Sequence, residues 1–139
     1  MKIEELYPLV SEAIRRAETL EDLGAPGTCS AYQDVSLLEE KVAEILPASD
    51  PEGALARRGA VRAALAAKEL ARAQQLAERF LAEAGGDAAE LRAELLRLSE
   101  QADRSAAARF PKVAARFGMS EVRRLARALI RQQAPFPIS

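Results

Sequence analysis

Apolar residues recur at three- and four-residue steps along most of this 139-residue chain, and that period admits α-helices and little else. Ile3, Leu6, Val10, Ile14, Ala17 and Leu20 form the first such stripe, and Val35, Leu38, Val42 and Ile45 form a second. Leu91, Leu95, Leu98 and Ala102 form a later one, and Val122, Leu125, Ala126 and Leu129 the last. The pattern breaks where Gly and Pro collect: Leu23–Ser30, Pro47–Glu52, Gly85-Gly86, Gly118 and the tail from Ala134. Composition agrees, since Ala (30), Leu (18), Arg (16) and Glu (16) are the strongest helix formers and supply most of the chain. The expected fold is all-α, a compact antiparallel bundle of six to seven helices in one domain over residues 1–139.

Boundaries follow from local chemistry. Pro8 would delete a hydrogen bond in mid-helix, so a loose turn over 3–6 and a helix from Pro8 to about Asp22 are predicted. The second helix is expected from about Tyr32 to Leu46. Asp50-Pro51-Glu52 is a strong helix start, with a cap, a residue suited to the first turn and a dipole-matched acid. From there no obligate breaker stands before residue 84, yet one rod over 51–84 would be about 51 Å long. A domain of this size is roughly 37 Å across, which predicts a tight turn near Ala67-Lys68-Glu69. Asp87 is expected to cap the next helix, Pro111 to open a short one, and Ser120-Glu121 to start the last. The tail at 134–139, with Phe136 and Ile138 between prolines, is read as extended and packed back on the body.

Several functions are excluded by residue inventory. The sequence has no His, which removes imidazole acid–base catalysis and His-ligated metal. Cys29 stands alone, which removes an internal disulfide and a multi-cysteine metal site; without a local base it reads as a loop cysteine. Acid pairs such as Glu4-Glu5, Glu21-Asp22 and Glu39-Glu40 point about 100° apart on a helix and make poor acid–base partners. No glycine-rich phosphate loop or nucleophile elbow occurs. A non-enzyme without cofactor or metal is expected. The longest apolar run, Ala63–Ala67, is far too short for a bilayer, and Met1–Glu5 lacks a signal-peptide profile, so a cytoplasmic protein is expected. The excess of Arg over Lys, sixteen to four, is an association with GC-rich bacterial genomes.

Charge is balanced overall and unbalanced along the chain. Residues 1–50 hold four bases and eleven acids, a net of −7, and residues 51–103 hold eight bases and nine acids, a net of −1. Residues 104–139 hold eight bases and Glu121 alone, a net of +7. The cheapest outcome for such a gradient is that the two ends pack together, or pair head to tail between subunits. Arg57, Arg58 and Arg62 form a smaller basic cluster, expected to pair with Glu52 and neighbouring acids.

Two segments resemble known families. Ala64-Leu65, Leu70, Ala73, Ala77 and Phe80 resemble the small and large packing positions of a tetratricopeptide repeat over about one repeat unit. Lys68 stands where that repeat has Gly, Gly85 where it has Pro, and no second unit follows in register. The resemblance implies a scaffold that binds peptides or proteins. Val113–Val122 resembles the turn of a DNA-binding helix-turn-helix, with Ala114, Phe117, Gly118, Met119 and the Ser120 cap in its positions. It implies phosphate contacts from Arg116, Arg123, Arg124, Arg127 and Arg131. Arg124, however, stands where the motif wants an apolar residue.

The leading expectation is a non-catalytic interaction module, an adaptor or small assembly subunit that binds a protein partner and could also pair as a homodimer. The alternative is a nucleic-acid-associated subunit using segment 113–131.

Overall fold

The computed structural model describes residues 1–85 and 88–125, and they form an all-helical bundle with no strand among them. The helices are α1 (Ile3–Asp22), α2 (Thr28–Ile45), α3 (Pro51–Ala66), α4 (Leu70–Glu83), α5 (Ala89–Arg109) and α6 (Pro111–Phe117). A further helical stretch occupies 119–125 and begins at Met119, one residue before the expected start. None of the helices among the described residues is long and apolar enough to cross a membrane. The extended tail expected at 134–139, and the inward positions Ala126 and Leu129, lie outside the described residues.

The starts of α1 and α2 differ most from expectation, each for a local reason. α1 is continuous from Ile3, with Pro8 inside it. Pro8 forfeits only the bond to the carbonyl of Glu4, an exposed residue where water can take the orphaned acceptor. The turn before it is anchored by Leu6, 1% exposed, and by the Lys2 carbonyl, which accepts from the N–H groups of Glu5 and Leu6 at 3.0 and 3.2 Å. α2 starts at Thr28 rather than near Tyr32, because Gly27 takes φ 92° and turns the chain directly into the helix. Thr28 Oγ1 then donates to the Ala25 carbonyl at 2.8 Å. Cys29 therefore sits in the first helical turn of α2, exposed, not in a loop.

The remaining junctions follow their chemistry. The Asp50 carboxylate accepts the Glu52 N–H at 2.8 Å and Pro51 is the first residue of α3. The turn between α3 and α4 falls at Ala67-Lys68-Glu69, as the length argument requires. It is a Schellman closure: Lys68 N–H donates to the Leu65 carbonyl and Glu69 N–H to the Ala64 carbonyl, each at 2.9 Å. Lys68 occupies the left-handed position at φ 63°, where glycine is usual. α5 begins with Ala88 at its cap position and no side-chain cap, and Asp87 lies outside the described residues.

Packing runs in chain order. α1 lies against α2, α2 against α3, α3 against α4 and α5, α4 against α5, and α5 against α6. One aliphatic core joins α1 to α5 through Leu6, Val42, Val61, Leu76, Phe80 and Leu95. Ala56, Ala60 and Ala64 on α3 and Ala73 and Ala77 on α4 are buried, so these backbones can approach closely. A smaller cluster of Leu70, Ala106 and Val122, with Phe110, Val113 and Met119 packed on it, seats α6 and the 119–125 helix beside the α3–α4 turn. α1 and α6 share no contact, so the expected pairing of acidic and basic ends does not occur within the described part of the chain.

Polar struts cross this core. Arg57, 5% exposed, donates through Nη1 to the carbonyls of Leu46 and Gly53 at 2.9 Å and through Nη2 to that of Ala43 at 2.9 Å. Its Nε meets Glu83 at 3.2 Å, and its guanidinium lies 5.6 Å from the Phe80 ring centroid. One side chain thus satisfies the C-terminal carbonyls of α2 and ties α3 to α4. Replacing Arg57 by Ala strands those acceptors in the interior, and a loss of about 3–5 kcal/mol is expected in denaturant unfolding. Lys68→Gly should instead raise stability by about 1 kcal/mol, because it relieves the left-handed backbone.

Candidate protein-interaction surfaces

Of the arginines singled out as phosphate ligands, Arg123 and Arg124 are paired with acids of the chain. Arg123 Nε donates to Asp103 Oδ1 at 2.8 Å and its Nη2 to Oδ2, which clamps the 119–125 helix to α5. The same Asp103 oxygen accepts from Gln74 Nε2 at 2.9 Å, while Gln74 Oε1 is buried without a partner among the described residues. Burial pushes the Asp103 carboxyl up, and its bonds from Arg123 and Gln74 outweigh that and hold it below the usual range. Arg124 bonds Glu121 one turn back, with Nε 3.1 Å from either oxygen. Arg116 lies 5.6 Å from the centroid of the Phe117 ring, and Arg127 and Arg131 lie outside the described residues.

The central basic cluster is dispersed too. Arg57 is the internal strut described above, Arg62 meets Glu94, and Glu52 takes the hydroxyl of Tyr7 rather than an arginine. Glu94 is shared by Arg97 and Arg62, whose hydrogen bonds hold its carboxyl low. Glu40 is likewise shared by Arg72 and Arg79, each at 2.8 Å, and Arg72 Nε also reaches Ser36 Oγ at 3.2 Å. Ser36, fully buried, donates to the Ala60 carbonyl at 2.8 Å. These polar groups bind α2, α3, α4 and α5 to one another. No grouping of metal-ligating side chains occurs among the described residues.

A groove between α1 and α2 has a volume of about 390 Å³. Leu9, Ala13, Leu37 and Leu38 form its apolar walls, and Glu12, Arg16, Asp34 and Lys41 stand at its charged rim. Leu9 and Leu37 are 44% and 48% exposed. Arg16 and Asp34 face each other across it at 4.0 Å, a loose exposed pair of small energetic worth. Both leucines fall outside the apolar stripes of the sequence because each sits one position beside a stripe residue, Val10 or Leu38. That adjacency is itself the signal: a second apolar residue next to the stripe widens the apolar face beyond what one neighbouring helix covers. Ile45, placed on the stripe, is 46% exposed because α2 ends there.

Glu39 is the exception to the paired acids. Its carboxyl lies over Gly59, where an added Cβ would stand 3.0–3.2 Å from the carboxyl atoms, and burial pushes its pKa up to about 7. Gly59 thus provides the room that a carboxyl between α2 and α3 needs.

No protein-family model, curated protein or solved structure matches the chain, the tetratricopeptide and helix-turn-helix resemblances included.

The folded pKa of Glu39 lies above its unfolded value near 4.5, so the native state holds the extra proton between these limits. Its contribution to stability is present below pH 4.5 and is lost as pH rises through about 7. Thermal melts of wild type and Glu39→Gln should therefore diverge with rising pH, the variant being the more stable above pH 7.

Proposed function

We propose that this chain is a non-catalytic protein-interaction module, an adaptor or small assembly subunit, and that the α1–α2 groove is its binding face. The observation that carries this reading is the exposure of Leu9 and Leu37 along one apolar cleft with charges of both signs at its rim. Apolar walls supply affinity and a charged rim supplies orientation, the usual anatomy of a protein-binding patch. Glu40, Glu94 and Asp103 are occupied as ties between helices, and Glu39 lies over Gly59 between α2 and α3, away from the groove lining, which favours a scaffold over an enzyme. We read the setting as the cytoplasm of a bacterium, in keeping with the arginine-rich composition and the lone exposed thiol.

The test is affinity capture from the native lysate, split and treated with nuclease on one side. A stoichiometric protein partner that survives nuclease and is lost with Leu9→Glu and Leu37→Glu is expected. Partners that vanish with nuclease would favour the nucleic-acid reading through Arg116, Arg123, Arg124, Arg127 and Arg131. Binding to DNA by four of these arginines would weaken with a logarithmic salt slope of about −3 to −4.

A further inference from the structure

The two ends of the packing order are complementary to each other and not to themselves. α1 and α2 form one end; among their exposed acids are Glu4, Glu5, Glu12, Glu18 and Asp34. α6 forms the other, with Lys112 and Arg116 exposed on it and Arg104 and Arg109 exposed on the last turns of α5. The groove between α1 and α2 is a hollow with leucine walls. The α6 end carries an exposed aromatic ring: Phe117 is 64% exposed, with the Arg116 guanidinium 5.6 Å from its centroid. Among the described residues α1 and α6 do not meet.

We propose that the occupant of the α1–α2 groove is a second copy of this chain, which seats its Phe117 between Leu9 and Leu37. Lys112 and Arg116 of that copy then lie toward Glu12 and Asp34 and the other acids of α1, in competition with Arg15 and Arg16, which hold those two acids in exposed pairs at 3.3 and 4.0 Å. The inference rests on the reading of the groove as a binding face and adds the identity of what it binds. Two acidic ends or two basic ends repel, so the contact is head to tail and not two-fold symmetric. Each pair formed this way still has one free groove and one free Phe117, and it grows by further addition until the rotation closes a ring or extends a filament.

Sedimentation velocity of the full chain over a concentration series tests this. At low salt the wild type should form species larger than a dimer in a concentration-dependent way. At about 1 M salt, where the screening length is about 3 Å, they should shrink toward monomer. Phe117→Asp and Leu37→Glu should each remain monomeric, with unchanged helicity because both side chains lie at the surface. Mixed in equal amounts, these two variants should form a one-to-one dimer that grows no further, since one keeps an intact groove and the other an intact Phe117. Glu12→Lys and Lys112→Glu should each self-associate less than wild type, and mixing them should restore growth as an alternating assembly, because both contacts then pair opposite charges while the apolar contact is unaltered. A wild type that stays monomeric at every concentration overturns the inference; if Leu37→Glu still loses its captured partner, the groove reading stands without it. An assembly that persists in Phe117→Asp, or a mixture of the two monomeric variants that fails to pair, also overturns it.

Discussion

The arrangement of the bundle depends on one buried guanidinium. A helix that ends inside a protein leaves carbonyls that need donors, and α2 ends against α3 with those of Ala43 and Leu46 facing inward. Arg57 supplies donors to both, to Gly53 of its own helix, and to Glu83 at the end of α4. A planar group with fixed donor directions can serve four acceptors at once only if three helix ends meet at one place. Gly53 completes the junction: a Cβ there would collide with the Pro47 carbonyl, so the α2–α3 loop can lie directly on α3.

From that junction the other ties radiate outward. Ser36 fixes α2 to the Ala60 carbonyl, Glu40 gathers Arg72 and Arg79 from α4, and Asp103 holds both Gln74 and Arg123. Alanines at Ala60, Ala64, Ala73 and Ala77 let the central helices close up. Exposed apolar groups occur along the bundle, at Leu55 of α3 and Leu96 of α5 as well as at Phe117, and the α1–α2 groove differs in lining one hollow with two of them, Leu9 and Leu37.

Local chemistry made much of this legible in advance. The α3 start was written in Asp50-Pro51-Glu52, and the turn at Lys68 followed from the length of a rod that could not fit, although no residue there enforces it. Leu91, Leu95, Leu98 and Ala102 are all buried, as their spacing requires. Local rules misjudged Pro8, because burial of Leu6 stabilises a turn that propensity alone would release. They could not reveal Arg57, whose role depends on helix ends brought together from positions 43 to 83. The basic C-terminal residues looked like a free phosphate-binding face because Asp103, the partner of Arg123, lies twenty positions away. Leu9 and Leu37 were hidden for the opposite reason, since a stripe analysis looks for what is buried.

Leucine methyl resonances, recorded as a captured protein or unlabelled copies of the chain are added, show whether the α1–α2 groove is the working surface. The methyls of Leu9, Leu37 and Leu38 should shift and broaden first, while those of the core residues Leu76 and Leu95 stay in place. Perturbation confined to leucines near the basic end, with Leu9 and Leu37 unmoved, would contradict that reading.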